Sequence, residues 1–314
     1  DGRVTVEPGT VRVGGVAFTL PRAAEVRIKD GRASAEGLTL TAPGTTASVS
    51  GTLGLAGDRP IDARVSASGA LGLLSAVVPG RLAGAFKASV SATGTAADPI
   101  FAGSLALDGA SWVWQEQRVA FRDWSGEATL SANTLTVAKL EGYANGGDAS
   151  VSGAIQLGRR GGAGLQLRVR DLFAEVVEGF RSQADVDLTL ASTIEGGQLS
   201  GTVTVTSGAY REPLTVMARQ FGAPRKTTAA ASGESSFLGS IALDVDLTAS
   251  SPITIENSAG RLDLVPTMKL QGSLAEPAFV GTLDMVDEGR LTLMGRTFRL
   301  TEARVAFPGV GDPA

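Results

Sequence analysis

Carboxylates are the side chains best placed to do chemistry in this chain, because it contains no Cys and no His. Zinc sites of the usual kinds, thiol nucleophiles, Ser-His-Asp triads and imidazole bases are thereby excluded. Asp98 and Glu276 sit at matching places in two similar phrases, while Asp185/Asp187 and Asp244/Asp246 each share a short stretch. Acid/base or metal work would need such groups to converge on one point. Their settings argue otherwise. Asp98 and Glu276 each precede a Pro, which is turn chemistry at a strand entrance, and the other two pairs alternate onto a polar strand face. "NGGD" (145–148) would be a calcium-loop candidate only inside a nonapeptide repeat, which is absent. No Gly-rich loop precedes a helix as a phosphate loop must. Trp112 and Trp114 in "SWVW" share one strand face, and with Trp124 they favour core or groove packing over a sugar platform. No catalytic residue, metal or cofactor is expected.

Charge excludes another class. The net charge is −4, from 28 basic and 32 acidic residues. Its densest basic spots, "GRR" (158–160) and "PRK" (224–226), are too small to track a phosphate backbone. Nucleic acid is not an expected partner.

The elements that must position any site are strands. Hydrophobic residues make up 43% of the 314 and charged residues 19%, so most of the chain should fold. Strict alternation recurs in "VRVGGVAFTL" (11–20), "EVRIKDGRAS" (25–34), "LQLRVR" (165–170), "DVDLTL" (185–190), "IALDVDLT" (241–248) and "RLTLMGRTFRL" (290–300). A period of two puts large aliphatics on one face and Thr, Ser, Asp or Arg on the other. Gly-rich turns such as "KDGR" (29–32) and "DEGR" (287–290) separate the runs. The chain reads as all-β, half-buried, and antiparallel or curled. Two stretches break the pattern with helical spacing: "ALGLLSAVV", predicting a short helix over 70–79, and "DLFAEVVEGF", predicting one over 171–180. Residues 218–236 lack periodicity and are expected as a flexible loop. No stretch of about 20 apolar residues is present. Both ends read as interior sequence, so a fragment of a longer protein is expected.

"GTAADPIFAGSLAL" (94–107) and "GSLAEPAFVGTLDM" (272–285) align without gaps through Gly94/Gly272, Pro99/Pro277, Phe101/Phe279, Gly103/Gly281 and Leu105/Leu283. A looser copy, "EGGQLSGTVTV" (195–205), keeps Gly201, Val203 and Val205. Acid-Pro makes a turn that cannot join a ladder. Gly then permits a bend, and an alternating strand follows. Pro99, Gly103, Gly201, Pro277 and Gly281 are therefore the expected turn and bend residues of stacked repeats.

In order, these phrases resemble the TamB branch of the AsmA-like superfamily. Over 61–157 the resemblance runs through the Leu-rich segment, the acid-Pro phrase, "FRDWSGEATL" (121–130) and "LEGYANGGDASVSGAIQL" (140–157). Over 243–309 it follows the family's region near its C-terminus almost phrase by phrase. It implies a long curled β-sheet forming an open trough, β-taco-like, with an apolar concave face. Divisions follow: β-repeats over 1–60, 61–160, 161–217 and 237–314, with the loop between the last two. It further implies a periplasmic protein held in the inner membrane by an N-terminal helix outside these residues. Its partners would be phospholipid or another acyl-chain lipid, an outer-membrane barrel protein of TamA or BamA type, and unfolded outer-membrane proteins.

The expected function is lipid conduction between inner and outer membranes through the apolar groove. The alternatives are a chaperone-like scaffold of the translocation and assembly module, and more remotely a secreted β-solenoid adhesin or polysaccharide-active protein. In the first half of the chain, Leu105, Leu107, Trp112 and Trp114 are expected to line the groove. Further on come Leu165, Leu167, Val203, Val205, Ile241, Leu243, Val245 and Leu247. Then follow Ile253, Ile255, Leu262, Leu264, Met268, Leu270, Leu283, Met285, Leu291, Leu293, Phe298 and Leu300.

Overall fold

A computed structural model describes residues 1–13, 16–76, 80–114, 119–158, 161–175, 179–212, 239–293 and 296–309. The chain is all-β, with 22 strands among the described residues. It divides into two compact units, one of Asp1–Ala144 with Ser150–Gly161, the other of Asn145–Ala149 with Gly162–Ala314.

The first unit opens with four short strands, β1 (Gly2–Val6), β2 (Gly9–Val13), β3 (Val16–Leu20) and β4 (Ala24–Lys29). Hydrogen bonding pairs β1 with β4 and β2 with β3, and both β4 and β3 then meet β5 (Arg32–Ala42). An antiparallel meander follows through β6 (Thr45–Gly54), β7 (Ile61–Ala70), β8 (Arg81–Gly94), β9 (Pro99–Trp114), β10 (Val119–Ser131) and β11 (Thr134–Ala144). Thr39, Ser48, Ser66, Ser89, Ser104, Thr129 and Thr136 stand opposite one another across its outer face. Small hydroxyl residues suit a solvated pleat that needs no charge pairing. Strand β12 (Gly147–Gln156) follows β11.

The second unit contains β13 (Gly162–Ala174), β14 (Phe180–Thr193), β15 (Gly196–Tyr210), β16 (Ile241–Ala249), β17 (Ile253–Asn257) and β18 (Gly260–Gly272). It ends with β19 (Pro277–Met285), β20 (Gly289–Leu293), β21 (Arg296–Leu300) and β22 (Arg304–Pro308). β15 is parallel to both β16 and β17, so the sheet is mixed at this point; the other strand pairs among the described residues of this unit are antiparallel. Burial follows the period of two: Ile241, Leu243 and Val245 are buried while Ala242 and Asp246 are exposed. Fully burying such an aliphatic contributes about 1.5–3 kcal/mol.

Residues 171–180 are not the expected helix where they are described. β13 runs through Ala174, and β14 begins at Phe180. The strand bulges here instead: register shifts between Val169 and Leu172, Asp171 takes φ +55°, and its N–H donates to the Asp185 carboxylate at 3.1 Å. The extra residue re-phases the alternation, so Leu172 falls opposite Ala184 and the ladder continues to Ala174 opposite Ser182. The Leu-rich segment expected over 70–79 forms a 3-10 stretch at Leu71–Ala76, with Leu71 buried against the sheet near β8. Its remainder, like most of 176–180 and all of the loop at 218–236, lies outside the described residues. Among the described residues no helix is long and apolar enough to cross a membrane.

Candidate functional site

The two acid-Pro phrases build the same hairpin. Gly94 pairs with Pro99 and Gly272 with Pro277, and both glycines take φ +91°. Asp98 N–H donates to the Thr95 hydroxyl at 3.1 Å, and Glu276 N–H donates to the Ser273 hydroxyl at 3.1 Å. One residue on, Ala96 N–H reaches the Arg59 carbonyl and Leu274 N–H the Ile241 carbonyl, at 2.9 and 3.0 Å. Asp98 and Glu276 thus serve these turns through their backbone. In the first copy Asn133 adds a clamp that sequence reasoning missed. Its side chain accepts from Phe101 N–H at 2.6 Å and donates to the Pro99 carbonyl at 3.1 Å.

Each phrase glycine then lies against the preceding strand. A Cβ on Gly103 would sit 1.9 Å from the Ser89 carbonyl, on Gly201 2.1 Å from that of Asp187, and on Gly281 2.2 Å from that of Thr267. Their φ values, +155°, +139° and +134°, are ones L-residues rarely adopt.

Those bends sit inside rows of apolar side chains. In the first unit one row runs Leu38, Val49, Val65, Val90, Gly103, Leu130 and Leu135, strand by strand from β5 to β11. The adjacent row contains Leu105, between Ala88 and Ala128. The next pairs Leu107 with Phe86 and Gly126. Leu105, Leu107 and Trp112 are half-buried; the Trp114 side chain lies outside the description. Sequence reasoning placed no groove residue before Leu105, because β5 to β8 write this face with much Ala and Val among Ser and Gly.

In the second unit Val169, Val186, Val203, Leu247, Met268, Gly281 and Phe307 form one row across seven strands. Beside it lie Leu167, Leu188, Gly201, Val245 and Leu270, then Leu165, Leu190, Leu199 and Leu243. Val205, Ile241, Leu243, Val245, Leu264 and Met268 are buried. Leu165, Leu167, Val203, Leu247, Ile253, Ile255, Leu262 and Leu270 are half-buried, as are Leu283, Met285, Leu291 and Leu300. Phe298 is 49% exposed, and the Leu293 side chain is not described. Among the described residues the largest fully buried side chain, Tyr210, was not anticipated; it ends β15 opposite Phe180 and Ile255.

The opposite face of this unit carries the charges. Arg168, Asp187, Thr202, Asp246 and Lys269 stand opposite one another in turn. Lys269 Nζ lies 2.9 Å from Asp244 and 3.3 Å from Asp246, and Arg168 lies 3.3 Å from Asp187. The carboxylate pairs are therefore partners of cations on neighbouring strands. Among the described residues no group of three or more carboxylates could hold a metal ion. Donating hydrogen bonds to the Asp244 and then the Asp246 carboxylate raises the Lys269 ammonium above its usual range. A raised lysine contributes stability below its ordinary titration range and loses it as pH rises through the folded value. Lys269→Met is expected to lower the melting temperature at low salt, with the gap closing near 1 M salt, where screening is about 3 Å. Thermal melts across salt check this; a gap that persists would assign the effect to packing.

Among the aromatics, Trp124 is buried and its indole N–H donates to the Tyr143 carbonyl at 3.0 Å. Phe121 stacks on Trp112 at 5.7 Å and meets Trp124 edge-on at 6.0 Å. Trp124 thus packs within the sheet, while Trp112 is half-buried with one ring face against Phe121.

The chain matches no curated protein and no solved structure. The family model of the TamB C-terminal domain covers residues 136–313, more than half of the chain, and it is to the TamB family that the chain belongs.

Proposed function

We propose that this chain is a periplasmic segment of an envelope-biogenesis protein whose apolar face conducts phospholipid between the inner and outer membranes. The observation that carries the reading is the rows of apolar residues through Leu38 and Leu105 in the first unit and through Val169, Leu167 and Leu165 in the second, none with a charged member; the neighbouring rows admit only small hydroxyls such as the buried Thr45 and Ser182. Such a face recognises apolarity alone. Moving a 16-carbon acyl chain through water costs about 0.8 kcal/mol per CH₂, roughly 12 kcal/mol in all. A trough lined by these rows would remove most of that cost while the headgroup stays in solvent. Low sequence specificity is tolerable in a conduit. Membership of the TamB family supports an envelope role; the inner-membrane anchor and the outer-membrane barrel partner belong to the same proposal.

Phospholipid is expected to co-purify with the native protein, read by mass spectrometry. Leu107→Arg and Leu283→Arg, at half-buried positions where a long side chain can reach solvent, should reduce it about tenfold, at least 1.4 kcal/mol of lost affinity. Protein free of lipid, or lipid unchanged in both variants, would defeat the reading. Capture of unfolded outer-membrane protein instead of lipid would favour the scaffold.

A further inference from the structure

The chain has three asparagines, and the fold treats them differently. Asn133 and Asn257 are held through their side-chain amides. Asn133 accepts from Phe101 N–H at 2.6 Å and donates to the Pro99 carbonyl at 3.1 Å. Asn257 accepts from Ala259 N–H and donates to the Glu212 carbonyl, both at 2.9 Å. Each is followed by a residue with a side chain, Thr134 or Ser258. Asn145 is followed by Gly146, and these two residues alone connect β11, which ends at Ala144, to β12, which begins at Gly147. Their φ values are +44° and +89°, the left-handed pair that a two-residue hairpin turn requires. A Cβ on Gly146 would meet nothing within 4 Å, so neither a side chain of its own nor a neighbour crowds the peptide after Asn145.

We propose that Asn145 is a site of spontaneous covalent modification, converted to isoaspartate and aspartate through a cyclic imide. The Gly146 nitrogen gives its proton to hydroxide and attacks Cγ of Asn145. A C–N bond closes the succinimide ring, the Cγ–Nδ2 bond breaks, and ammonia leaves with the proton returned to it. Water then opens the ring at one of its two carbonyls. One opening gives aspartate; the other gives isoaspartate, in which the main chain runs through the side-chain carbon. The net change is amide plus water to carboxylic acid plus ammonia, with no change of oxidation state. Glycine favours the attack because a Cβ beside the nitrogen would obstruct it. Attack also needs rotation about the Asn145 Cα–C bond, a local opening of the kind that hairpin tips undergo.

The modification has a structural consequence close by. Isoaspartate lengthens the backbone of a turn whose two residues leave no slack, and either product sets a new carboxylate near the exposed Asp148. Just before the turn, the Tyr143 carbonyl accepts the indole N–H of the buried Trp124 at 3.0 Å. Gly142 lies against the same ring, where a Cβ would be 2.6 Å away. A remodelled turn displaces Tyr143 and loosens this contact, so Trp124 reports on the state of Asn145. The inference concerns one turn and does not depend on what the apolar face carries.

The test incubates the folded 314-residue chain in mildly alkaline buffer and maps its tryptic peptides, residues 140–159 among them, by mass spectrometry. Deamidation with an isoaspartyl product should appear at Asn145 at least about tenfold faster than at Asn133 or Asn257. Hydroxylamine, which traps the imide, should cut the folded chain once, into residues 1–145 and 146–314. Tryptophan emission should move to longer wavelength as product accumulates. Asn145→Gly keeps a turn of positive φ and removes the amide, so it should abolish both the cut and the emission change. The chain unfolded in urea supplies the rate of an unrestrained Asn-Gly peptide. Product and cleavage confined to the unfolded chain would overturn the proposal, because the fold would then shield the site. Equal rates at the three asparagines would overturn it too, and an emission change shared by Asn145→Gly would overturn the coupling to Trp124.

Discussion

Gly103→Ala is expected to remove about 2–4 kcal/mol of unfolding free energy, far beyond a usual surface change. Two costs combine at this residue. Its φ of +155° is unfavourable for any L side chain, and the new Cβ would lie 1.9 Å from the Ser89 carbonyl, a backbone atom that cannot rotate away. Relief would require β8 and β9 to separate, breaking the ladder at Val90↔Gly103. Gly2→Ala is the control in the same unit: it lies in β1 with nothing within 4 Å of the added carbon, and should change stability by no more than about 0.5 kcal/mol. All three tryptophans, at 112, 114 and 124, belong to the same unit as Gly103, so urea titration followed by tryptophan fluorescence reads the loss directly. Equal midpoints for Gly103→Ala and the parent would show that the bend does not need glycine.

The bend was legible in the sequence because it is a local event. Acid-Pro, then an apolar residue, then Gly is a phrase whose every member acts on its neighbours, and two hairpins with the same φ at Gly94 and Gly272 result. The strands were legible for the same reason, since alternation needs only one strand to be read. What failed was reading across a bulge. "DLFAEVVEGF" opens on Asp171, which consumes a residue without advancing the pleat, so Leu172 to Ala174 continue a ladder that the spacing of the stretch alone does not announce. The hydrogen bond from the Asp171 N–H to Asp185 comes from another strand, and a single-stretch reading has no access to it.

The apolar face was read unevenly for a further physical reason. Ala47, Ala67 and Ala88 face the same way as Leu105, yet alanine and serine differ too little in hydropathy for their alternation to stand out. Placement on the face came from register, which the Leu-rich strands then anchored. The likeness of β1–β4 to β19–β22 needed register too: Gly2↔Ile28 and Val4↔Val26 pair as Gly281↔Phe307 and Leu283↔Val305 do, although Val4 and Ile28 stand where Leu283 and Phe307 do. Identity of side chains faded while identity of pairing persisted, because a ladder constrains the phase of each strand more tightly than the choice among Val, Leu and Phe.

Tyr210→Ala is expected to cost about 3–5 kcal/mol, the range for emptying an aromatic site in a core. Tyr210 is fully buried at the end of β15, where a bulge between Val205 and Ser207 has brought it onto the apolar face. It stands opposite Phe180 on one side and Ile255 on the other, so it joins β14 to β17 where β16 has ended. Neighbouring Gly208 leaves the room this needs: a Cβ there would press within 3.2 Å of Ile253 and 3.3 Å of the Phe180 ring. A truncated side chain would leave a cavity that these neighbours could close only by shifting β17 against β15. Amide hydrogen exchange should therefore quicken at Gly208, Tyr210, Ile253 and Ile255. The other tyrosine provides the comparison. Tyr143 is 45% exposed, and the contact it offers Trp124 is through its carbonyl, which alanine retains. Tyr143→Ala should consequently stay within about 0.5 kcal/mol of the parent. If both alanine variants exchange and unfold alike, Tyr210 is not the pin between β14 and β17, and the parallel junction is held by its backbone ladder alone.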